Sequence, residues 1–267
     1  MILKCPVCQQ KLYVKNNLYA YCNQGHHYDY NKYHILNLAL SQKRRLQGDD
    51  DIMSVARHNF LIADYYLPLI EVVSKVLKNY PIKNIVDCGS GQGYYLDYLS
   101  KNLNVASDNC YAFDLSQKLL RLGQKHYKQY HWIVANIKKL PIINNCASLV
   151  LNAFVPLFLD EMIRILELGG YLVVIDVGYH HLSKLKTILY PQVIYNQVSE
   201  IVCPNLKLLH YLNSEFNIVL NQQQLQNLLM MTPYYYRTEK KAIDKLKTYN
   251  SLEIDCHFVV RIFQKII

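Results

Sequence analysis

A glycine-rich turn narrows the possible folds of this chain more than any other part of its sequence. A short apolar run ends at Asp87, and the motif Asp87-x-Gly89-x-Gly91-x-Gly93 follows directly, before a helical pattern. Glycine allows a backbone to turn sharply and to lie close to a ligand. The order of strand, glycine turn and helix predicts the first strand–helix unit of a Rossmann-like domain.

Strand and helix patterns alternate on both sides of this turn. Strands are predicted at 85–86, 111–113, 132–134, 147–151, 171–177 and 257–263. Helices are predicted at 52–61, 66–77, 94–99, 117–126, 157–166 and 222–231. Regular alternation of this kind predicts an α/β fold with a parallel sheet and right-handed crossovers.

The length of 267 residues allows one large domain and a small module. We predict an N-terminal module at 1–34, a connector with helices at 35–80, and the α/β domain at 81–267. No apolar stretch approaches the length that spans a bilayer, and the N-terminus lacks the pattern of a signal peptide. We therefore expect a cytoplasmic protein without a membrane partner.

Three cysteines and a histidine in the N-terminal module have the spacing of metal ligands. Cys5 and Cys8 form a C-x2-C pair, and Cys22 with His26 forms a C-x3-H pair thirteen residues later. Two such pairs can close a tetrahedron around a structural Zn²⁺ ion, which would supply folding energy that so short a segment lacks. His27 is an alternative to His26, and three incidental cysteines are the alternative to a metal site.

Positive charge is concentrated in the same part of the chain. The formal net charge is +9, and residues 1–48 contain a single acid, Asp29. The basic residues there are Lys4, Lys11, Lys15, Lys32, Lys43, Arg44 and Arg45. A basic region of this kind is compatible with a nucleic-acid partner, although a solubilising surface would have the same composition.

Two polar residues follow the next two predicted strands. Asp114 ends the second strand, where an acid can accept hydrogen bonds from both hydroxyls of a ribose. Asn136 follows the third strand, where an adenine contact is expected. A helix N-cap is the alternative for Asp114, and an ordinary turn residue is the alternative for Asn136. With the G-x-G-x-G spacing, the pattern resembles class I S-adenosylmethionine methyltransferases.

Nearly the whole chain resembles the bacterial 23S rRNA (guanine-N1)-methyltransferases of the RlmA type. The shared motifs are Cys5-Pro6-x-Cys8, Cys22-x-x-x-His26-x-Tyr28-Asp29, Gln42-Lys43-Arg44, Met53-x-x-Ala56-Arg57, Asp87-x-Gly89-x-Gly91-x-Gly93-Tyr94-Tyr95, Gly169-Gly170-Tyr171, His181-Leu182 and Met231-Thr232-Pro233. A zinc-type module, a connector and a methyltransferase core in this order make a specific combination. Three segments differ from the family. Asp64 replaces a family glycine, the third-strand segment is changed to Val134-Ala135-Asn136-Ile137, and 151–156 lacks the arginine and tyrosine that the family has after the fourth strand.

The resemblance implies a fold, a reaction and a set of site residues. The fold is a Rossmann-like class I methyltransferase domain with a small N-terminal zinc-binding module. The reaction is methylation of guanine N1 in a hairpin loop of 23S rRNA domain II, by a homodimer whose zinc modules help to line an RNA cleft. The expected cofactors are S-adenosylmethionine and a structural Zn²⁺ ion. The cofactor-binding residues would be Asp87, Gly89, Gly91, Gly93, Tyr94, Asp114 and Asn136.

Several residues are candidates for contacts with the target base and the RNA, but the sequence does not identify the general base. Asn152 and Asp176 follow strands on the expected cofactor side, where Asn152 could orient the base and Asp176 could accept the N1 proton. Phe154 could stack on a guanine that has left its loop, or belong to the core. Phosphate contacts could come from Lys43, Arg44, Arg45 and Arg57, for which a solvated surface is the alternative.

Two other functions are compatible with the same sequence. A methyltransferase that acts on a small molecule would share the cofactor motifs, but it would have no need of a basic zinc module. A protein that binds rRNA without turnover would explain the changed segment at 151–156. Salt-sensitive binding to an RNA hairpin separates the first alternative from an RNA enzyme, because phosphate contacts weaken steeply with salt.

Overall fold

The computed structural model describes residues 2–16, 18–40 and 51–267. A three-stranded sheet is formed by β1 (Tyr13–Lys15), β2 (Tyr19–Tyr21) and β3 (His27–Asp29). An eight-stranded sheet is formed by β4 (Ile35–Asn37), β5 (Ile85–Cys88), β6 (Cys110–Asp114), β7 (His131–Val134), β8 (Ala147–Ala153), β9 (Leu166–Val177), β10 (Leu206–Asn221) and β11 (Ser251–Lys265). The helices are α1 (Asp51–Leu61), α2 (Leu67–Leu77), α3 (Tyr94–Asn102), α4 (Gln117–His126), α5 (Leu159–Ile165), α6 (Ser183–Leu189), α7 (Gln222–Met230) and α8 (Lys240–Leu246).

The large sheet has the strand order β10-β11-β9-β8-β5-β6-β7-β4. Within the part of the chain that is described, β11 alone runs antiparallel to its neighbours, between β9 and β10. The order reverses at β5, because β6 lies on one side of it and β8 on the other. Ligands of open α/β sheets bind at such a switch point, outside the carboxyl ends of the strands. The predicted Rossmann-like class I methyltransferase fold is confirmed.

The central strands are buried along their whole length because both faces of the sheet are covered. Every residue of β5 and of β8 is buried. One apolar cluster joins α2 and α3 to the sheet, and a second one joins α5 and the N-terminal module to its opposite face. Such burial on both faces removes the alternation of polar and apolar residues that marks a half-exposed strand.

The N-terminal module packs directly on the large domain. Leu3 forms an antiparallel bridge with Ile142, and the Lys4 amide donates a 2.9 Å hydrogen bond to the Pro141 carbonyl. Leu3 and Leu12 are fully buried in the apolar cluster that also contains Val86 of β5. The module therefore shares a core with the catalytic domain and does not rely on its own few apolar residues.

Several elements differ from the sequence-based predictions: β10, α6 and α8 were not predicted, and β11 begins at Ser251 instead of at His257. Ile35–Asn37, assigned to the connector, is strand β4, because Ile35 and Leu36 are buried beside β7. The predicted helix 157–166 ends at Ile165, and strand β9 already begins at Leu166. Gly169 and Gly170 form an irregularity within β9 rather than a break before it, since the register to β8 shifts at this point. A Cβ on Gly170 would approach the Ala147 carbonyl oxygen to 2.8 Å.

No helix in the described ranges combines the length and the apolar character that crossing a membrane requires.

Candidate functional site

The glycine turn between β5 and α3 has a backbone that other residues would adopt only with strain. Gly89, Gly91 and Gly93 have φ angles of +78°, +55° and +76°. A Cβ on Gly89 would lie 2.6 Å from the Val155 side chain, and one on Gly93 would lie 2.6 Å from the Trp132 ring. The glycines are therefore required both by conformation and by the close approach of neighbouring segments.

Asp114 connects this turn to the end of β6. Its carboxylate accepts a 2.9 Å hydrogen bond from the Gly91 amide and a 2.7 Å hydrogen bond from the Ser116 amide. The N-cap of α4 is Ser116, whose hydroxyl accepts from the Leu119 amide, so the N-cap alternative for Asp114 is wrong. The carboxylate thus lies at the switch point of the sheet, beside the glycine turn.

A cavity of about 430 Å³ opens above this switch point. Seven of the predicted site residues line it: Arg57, Asp87, Gly89, Gly91, Tyr94, Phe154 and Asp176. Gly93, Asp114, Asn136 and Asn152 are not among its lining residues. The remaining walls come from α1, from the loop that follows α7 and from β11, so distant parts of the chain enclose the space. The volume suits a small-molecule ligand.

Two polar atoms in the wall of this cavity lack hydrogen-bond partners. The Ser90 hydroxyl and the Gln92 side-chain nitrogen are buried, and neither has a partner within the described ranges. Buried polar groups are nearly always paired, so these two atoms remain available for hydrogen bonds to a ligand of the turn. S-adenosylmethionine, with its amino-acid end and ribose, has the donors and acceptors that such a turn can bind.

Asp87 is a fully buried acid at the mouth of the turn. Burial raises the pKa of its carboxyl group to about 8, and the negative charge of Asp114 contributes to this shift. The raised pKa means that the folded protein, without a ligand, holds a proton that the unfolded chain has already released near pH 4. A positively charged cofactor beside Asp87 would favour the ionised form.

Replacement of Asp87 by Asn should change how the thermal stability depends on pH. Because the pKa is raised in the folded state, the native protein loses stability as pH rises from about 4 to about 8. The variant lacks this loss, so its melting temperature should exceed that of the native protein by at least about 2 °C at pH 9, with a smaller difference at pH 5. Thermal melts without ligand across this range measure the effect. The exposed Asp108 supplies the control Asp108→Asn, and a difference that does not change with pH would contradict the prediction.

Tyr94 and Asp64 join the first turn of α3 to the loop after α1. The Tyr94 hydroxyl donates a 2.8 Å hydrogen bond to the Asp64 carboxylate. Asp64 has a φ angle of +60°, in the left-handed region that favours glycine. Glycine adopts this conformation without strain, and the hydrogen bond from Tyr94 offsets part of the strain that the aspartate adds.

The segment after β8 forms the opposite wall. Phe154 has a φ angle of +59° and is 39% exposed, and its ring lies 5.5 Å from that of Phe258. It is therefore neither fully exposed nor a core aromatic. Asn152 is buried and donates a 3.4 Å hydrogen bond to the Pro156 carbonyl, across the turn that presents Phe154.

The other predicted residues lie in different surroundings. Asp176 forms an ion pair with Arg261 of β11 at the cavity wall. Arg57 donates a long hydrogen bond of 3.5 Å to the Met231 carbonyl. Asn136 accepts from the Lys138 amide and lines a second, smaller cavity beside the N-terminal module. Lys43, Arg44 and Arg45 lie outside the described residues.

His181 is a cavity residue to which sequence reasoning assigned no role. Burial, together with the charge of Lys186, lowers its pKa to about 3. Its Nδ1 accepts a hydrogen bond from the His257 amide, so the neutral ring carries its proton on Nε2. Two adjacent histidines just after the fifth predicted strand were the available signal, but only the fold shows that one of them reaches the cavity.

The four predicted metal ligands converge in the N-terminal module. The ligand atoms of Cys5, Cys8, Cys22 and His26 lie within 4.8 Å of one another. The Cys8 and Cys22 sulfurs are 3.5 Å apart, and the Cys22 sulfur is 3.3 Å from Nδ1 of His26. Zinc–sulfur bonds of about 2.3 Å give sulfur separations of roughly 3.8 Å in a tetrahedron, so the donor set fits zinc. The ring of His27 instead stacks on Tyr21.

Several known proteins are similar to this chain in sequence. Residues 86–174 match the family model described as a methyltransferase domain. A 23S rRNA (guanine(748)-N(1))-methyltransferase from Streptomyces fradiae is 28% identical over 188 residues, which cover 68% of this chain and 66% of that protein. YxjB from Bacillus subtilis, provisionally named as a 23S rRNA (guanine-N1)-methyltransferase, is 23% identical over 95% of this chain and 93% of its own length.

A relative with another substrate matches as well. A malonyl-[acyl-carrier protein] O-methyltransferase from a Marinomonas species is 25% identical over 78% of this chain and 77% of its own length. The rRNA enzymes among these relatives confirm the resemblance inferred from the sequence. The chain is an S-adenosylmethionine-dependent methyltransferase of the class I fold, similar to the 23S rRNA (guanine-N1)-methyltransferases.

Proposed function

We propose that the protein transfers a methyl group from S-adenosylmethionine to N1 of a guanine in a hairpin loop of 23S rRNA domain II. The observation that carries the proposal is the shape of the large cavity, which continues from the glycine turn past Phe154 to Arg57. Such a space can hold the cofactor and, next to it, a base that has left its loop. The names of two relatives support rRNA as the substrate.

In this proposal the cofactor lies along the carboxyl ends of β5 and β6. Asp87, Gly89, Gly91, Gly93 and Tyr94 would hold its methionine end, where the unpartnered Ser90 and Gln92 atoms add hydrogen bonds. Asp114 would accept from the ribose hydroxyls. Asn136 would contact the adenine, although its side chain now lines the neighbouring cavity.

The target guanine would lie between Phe154 and the walls formed by β9 and β11. Phe154 offers an aromatic face, and Asn152 would orient the base by fixing the turn that carries this ring. Asp176 would accept the N1 proton while the methyl group passes from the sulfonium to N1, and S-adenosylhomocysteine leaves. The ion pair with Arg261 would hold the Asp176 carboxylate in place.

The RNA itself would be held by the basic N-terminal part of the chain. The zinc-binding module, with Cys5, Cys8, Cys22 and His26 as ligands, would form one wall of an RNA cleft. Lys43, Arg44, Arg45 and Arg57 would contact phosphates. A homodimer in the cytoplasm, the compartment of bacterial ribosome assembly, completes the proposal.

Methyl transfer to isolated 23S rRNA tests the proposal. The rRNA comes from a strain that lacks this modification, the cofactor carries a labelled methyl group, and primer extension locates the product. Methylation at N1 blocks Watson–Crick pairing, so we expect a new stop in the domain II hairpin and no stop with the Asp114→Ala protein. If label enters the RNA but no stop appears in domain II, the proposed methylation site is rejected. If the protein binds the cofactor but no label enters the RNA, the proposed substrate is rejected.

A small-molecule or acyl-group substrate is the second candidate, because one relative is named as a malonyl-[acyl-carrier protein] O-methyltransferase. The two candidates differ in their response to salt, because only the RNA substrate makes many phosphate contacts. Steep loss of hairpin binding between 50 and 200 mM salt, by about 10³-fold or more, would support the rRNA candidate.

A further inference from the structure

A second group of side chains with metal-ligating atoms lies at the β10–β11 edge of the large sheet, away from the cysteine cluster. His180 in the turn after β9, Glu215 on β10 and His257 on β11 place their ligand atoms within 4.8 Å of one another. Nε2 of His180 is 3.7 Å from one Glu215 carboxylate oxygen, and Nε2 of His257 is 3.6 Å from the other. These separations approach those between ligands that share one ion, because metal–nitrogen and metal–oxygen bonds of about 2.0–2.2 Å give roughly 3.4 Å in a tetrahedron.

Sheet pairing brings two of the three residues together without strain. Glu215 and His257 are direct partners in the antiparallel register of β10 and β11, so their side chains lie on the same face. Asn213 is two residues earlier on β10, and its side-chain oxygen is 3.3 Å from Nε2 of His257. The arrangement thus offers the Asn213 amide oxygen as a fourth ligand atom, beside the two imidazoles and the carboxylate.

The third residue is held by the tight turn after β9. The Gly178 amide donates a 2.7 Å hydrogen bond to the His257 carbonyl, and the Asn196 side chain donates a 2.8 Å hydrogen bond to the Gly178 carbonyl. A Cβ on Gly178 would lie 2.3 Å from the His257 ring, so only glycine leaves room for this imidazole. The turn then places the His180 ring 4.1 Å from the His257 ring, centre to centre.

The His257 ring is nearly buried between the turn at Gly178 and the side chains of Glu215 and Asn213. Its side chain is 8% exposed, and its Nδ1 has no partner within the described ranges. The polar contacts of the ring are those of Nε2, which faces Glu215 and Asn213. The half-exposed His180 and Glu215 leave the opposite side open to solvent, from which an ion can enter.

We propose that His180, Glu215 and His257 form a binding site for a first-row divalent transition-metal ion. Two imidazoles and one carboxylate suit zinc or nickel, whereas Mg²⁺ and Ca²⁺ prefer oxygen ligands. The site is distinct from the cysteine cluster, and it adjoins the catalytic cavity through His181 and Phe258, the chain neighbours of two of its ligands. A bound ion would tie the turn after β9 to β10 and β11 and so stiffen this cavity wall.

Calorimetric titration of the full chain with Zn²⁺ tests the site, after one equivalent of zinc has been supplied. We expect a second binding event that His180→Ala and Glu215→Gln each weaken by at least about tenfold, because even the loss of an outer-shell partner costs about 10–100-fold. Glu253→Gln is the matched control, since Glu253 is an equally exposed acid on β11 that pairs with Lys184. Co²⁺ bound in the second event should lack the intense near-ultraviolet bands of thiolate ligation.

Several outcomes would overturn the site. These are the absence of a second event in the native chain, weakening by only one of the two substitutions, equal weakening by Glu253→Gln, and thiolate bands on the second Co²⁺ equivalent. Unchanged circular dichroism of the variants shows that lost binding is not lost folding. None of these results depends on methyl transfer, so the metal site and the proposed function can fail separately.

Discussion

The Asp114→Ala protein should lose S-adenosylmethionine binding by at least about 100-fold. The proposed ribose contact consists of two hydrogen bonds to a carboxylate, and each such bond contributes about 1.5–3 kcal/mol. Since about 1.4 kcal/mol corresponds to a factor of ten, the two together exceed a factor of 100. Calorimetric titration with the cofactor measures the loss, and methyl transfer should fall with it.

A control must separate cofactor binding from the support that Asp114 gives to the glycine turn. The carboxylate also accepts hydrogen bonds from the Gly91 and Ser116 amides, so its removal destabilises the turn in the absence of ligand. Ser116→Ala is matched, because it removes the N-cap of α4 at a cost of about 1 kcal/mol without touching a ribose contact. Equal losses of affinity in the two variants would show that Asp114 acts only through the turn.

The His26→Ala protein should lose the zinc of the N-terminal module, whereas His27→Ala should retain it. Only His26 brings a ring nitrogen to the three cysteines, while His27 stacks on Tyr21. A structural zinc site contributes about 10–16 kcal/mol of apparent binding free energy, which is also folding free energy. We therefore expect affinity for zinc to fall by more than about 100-fold, since a lost ligand costs more than a lost outer-shell partner.

Two measurements check this prediction. The metal content is determined after dialysis, and the sensitivity of the N-terminal module to proteolysis is measured separately. The His26→Ala module should be cleaved at a chelator concentration that leaves the His27→Ala module intact. Because Leu3 and Leu12 are buried against the large domain, the module should also lose its packing there when zinc is removed. Zinc retained by His26→Ala and lost by His27→Ala would assign the fourth ligand to the other histidine.

Local sequence pattern was sufficient for several features that depend on neighbours in the chain, although it missed the short helices α6 and α8. The glycine turn, α4 and the C-x2-C pair depend on residues a few positions apart, and the structure has them where they were predicted. The convergence of Asp87, Gly89 and Asp114 followed from a general rule, since the carboxyl ends of adjacent parallel strands meet at one edge of the sheet. The preference for His26 over His27 likewise followed from local spacing.

Other features depend on contacts between residues far apart in the chain, and only the tertiary structure shows them. Strand β4 is only three residues long, and it is a strand because β7 supplies its hydrogen-bonding partner. The pairing of β10 with β11, and of β11 with β9, brings Arg261 to Asp176 and His257 to Glu215, from positions far apart in the chain. Such contacts depend on strand order and register, which arise from the burial of both sheet faces and are invisible in the spacing of residues. The glycine turn and the cysteine cluster could therefore be predicted from the sequence, whereas the proposed wall for the substrate and the proposed second metal site depend on contacts that only the tertiary structure creates.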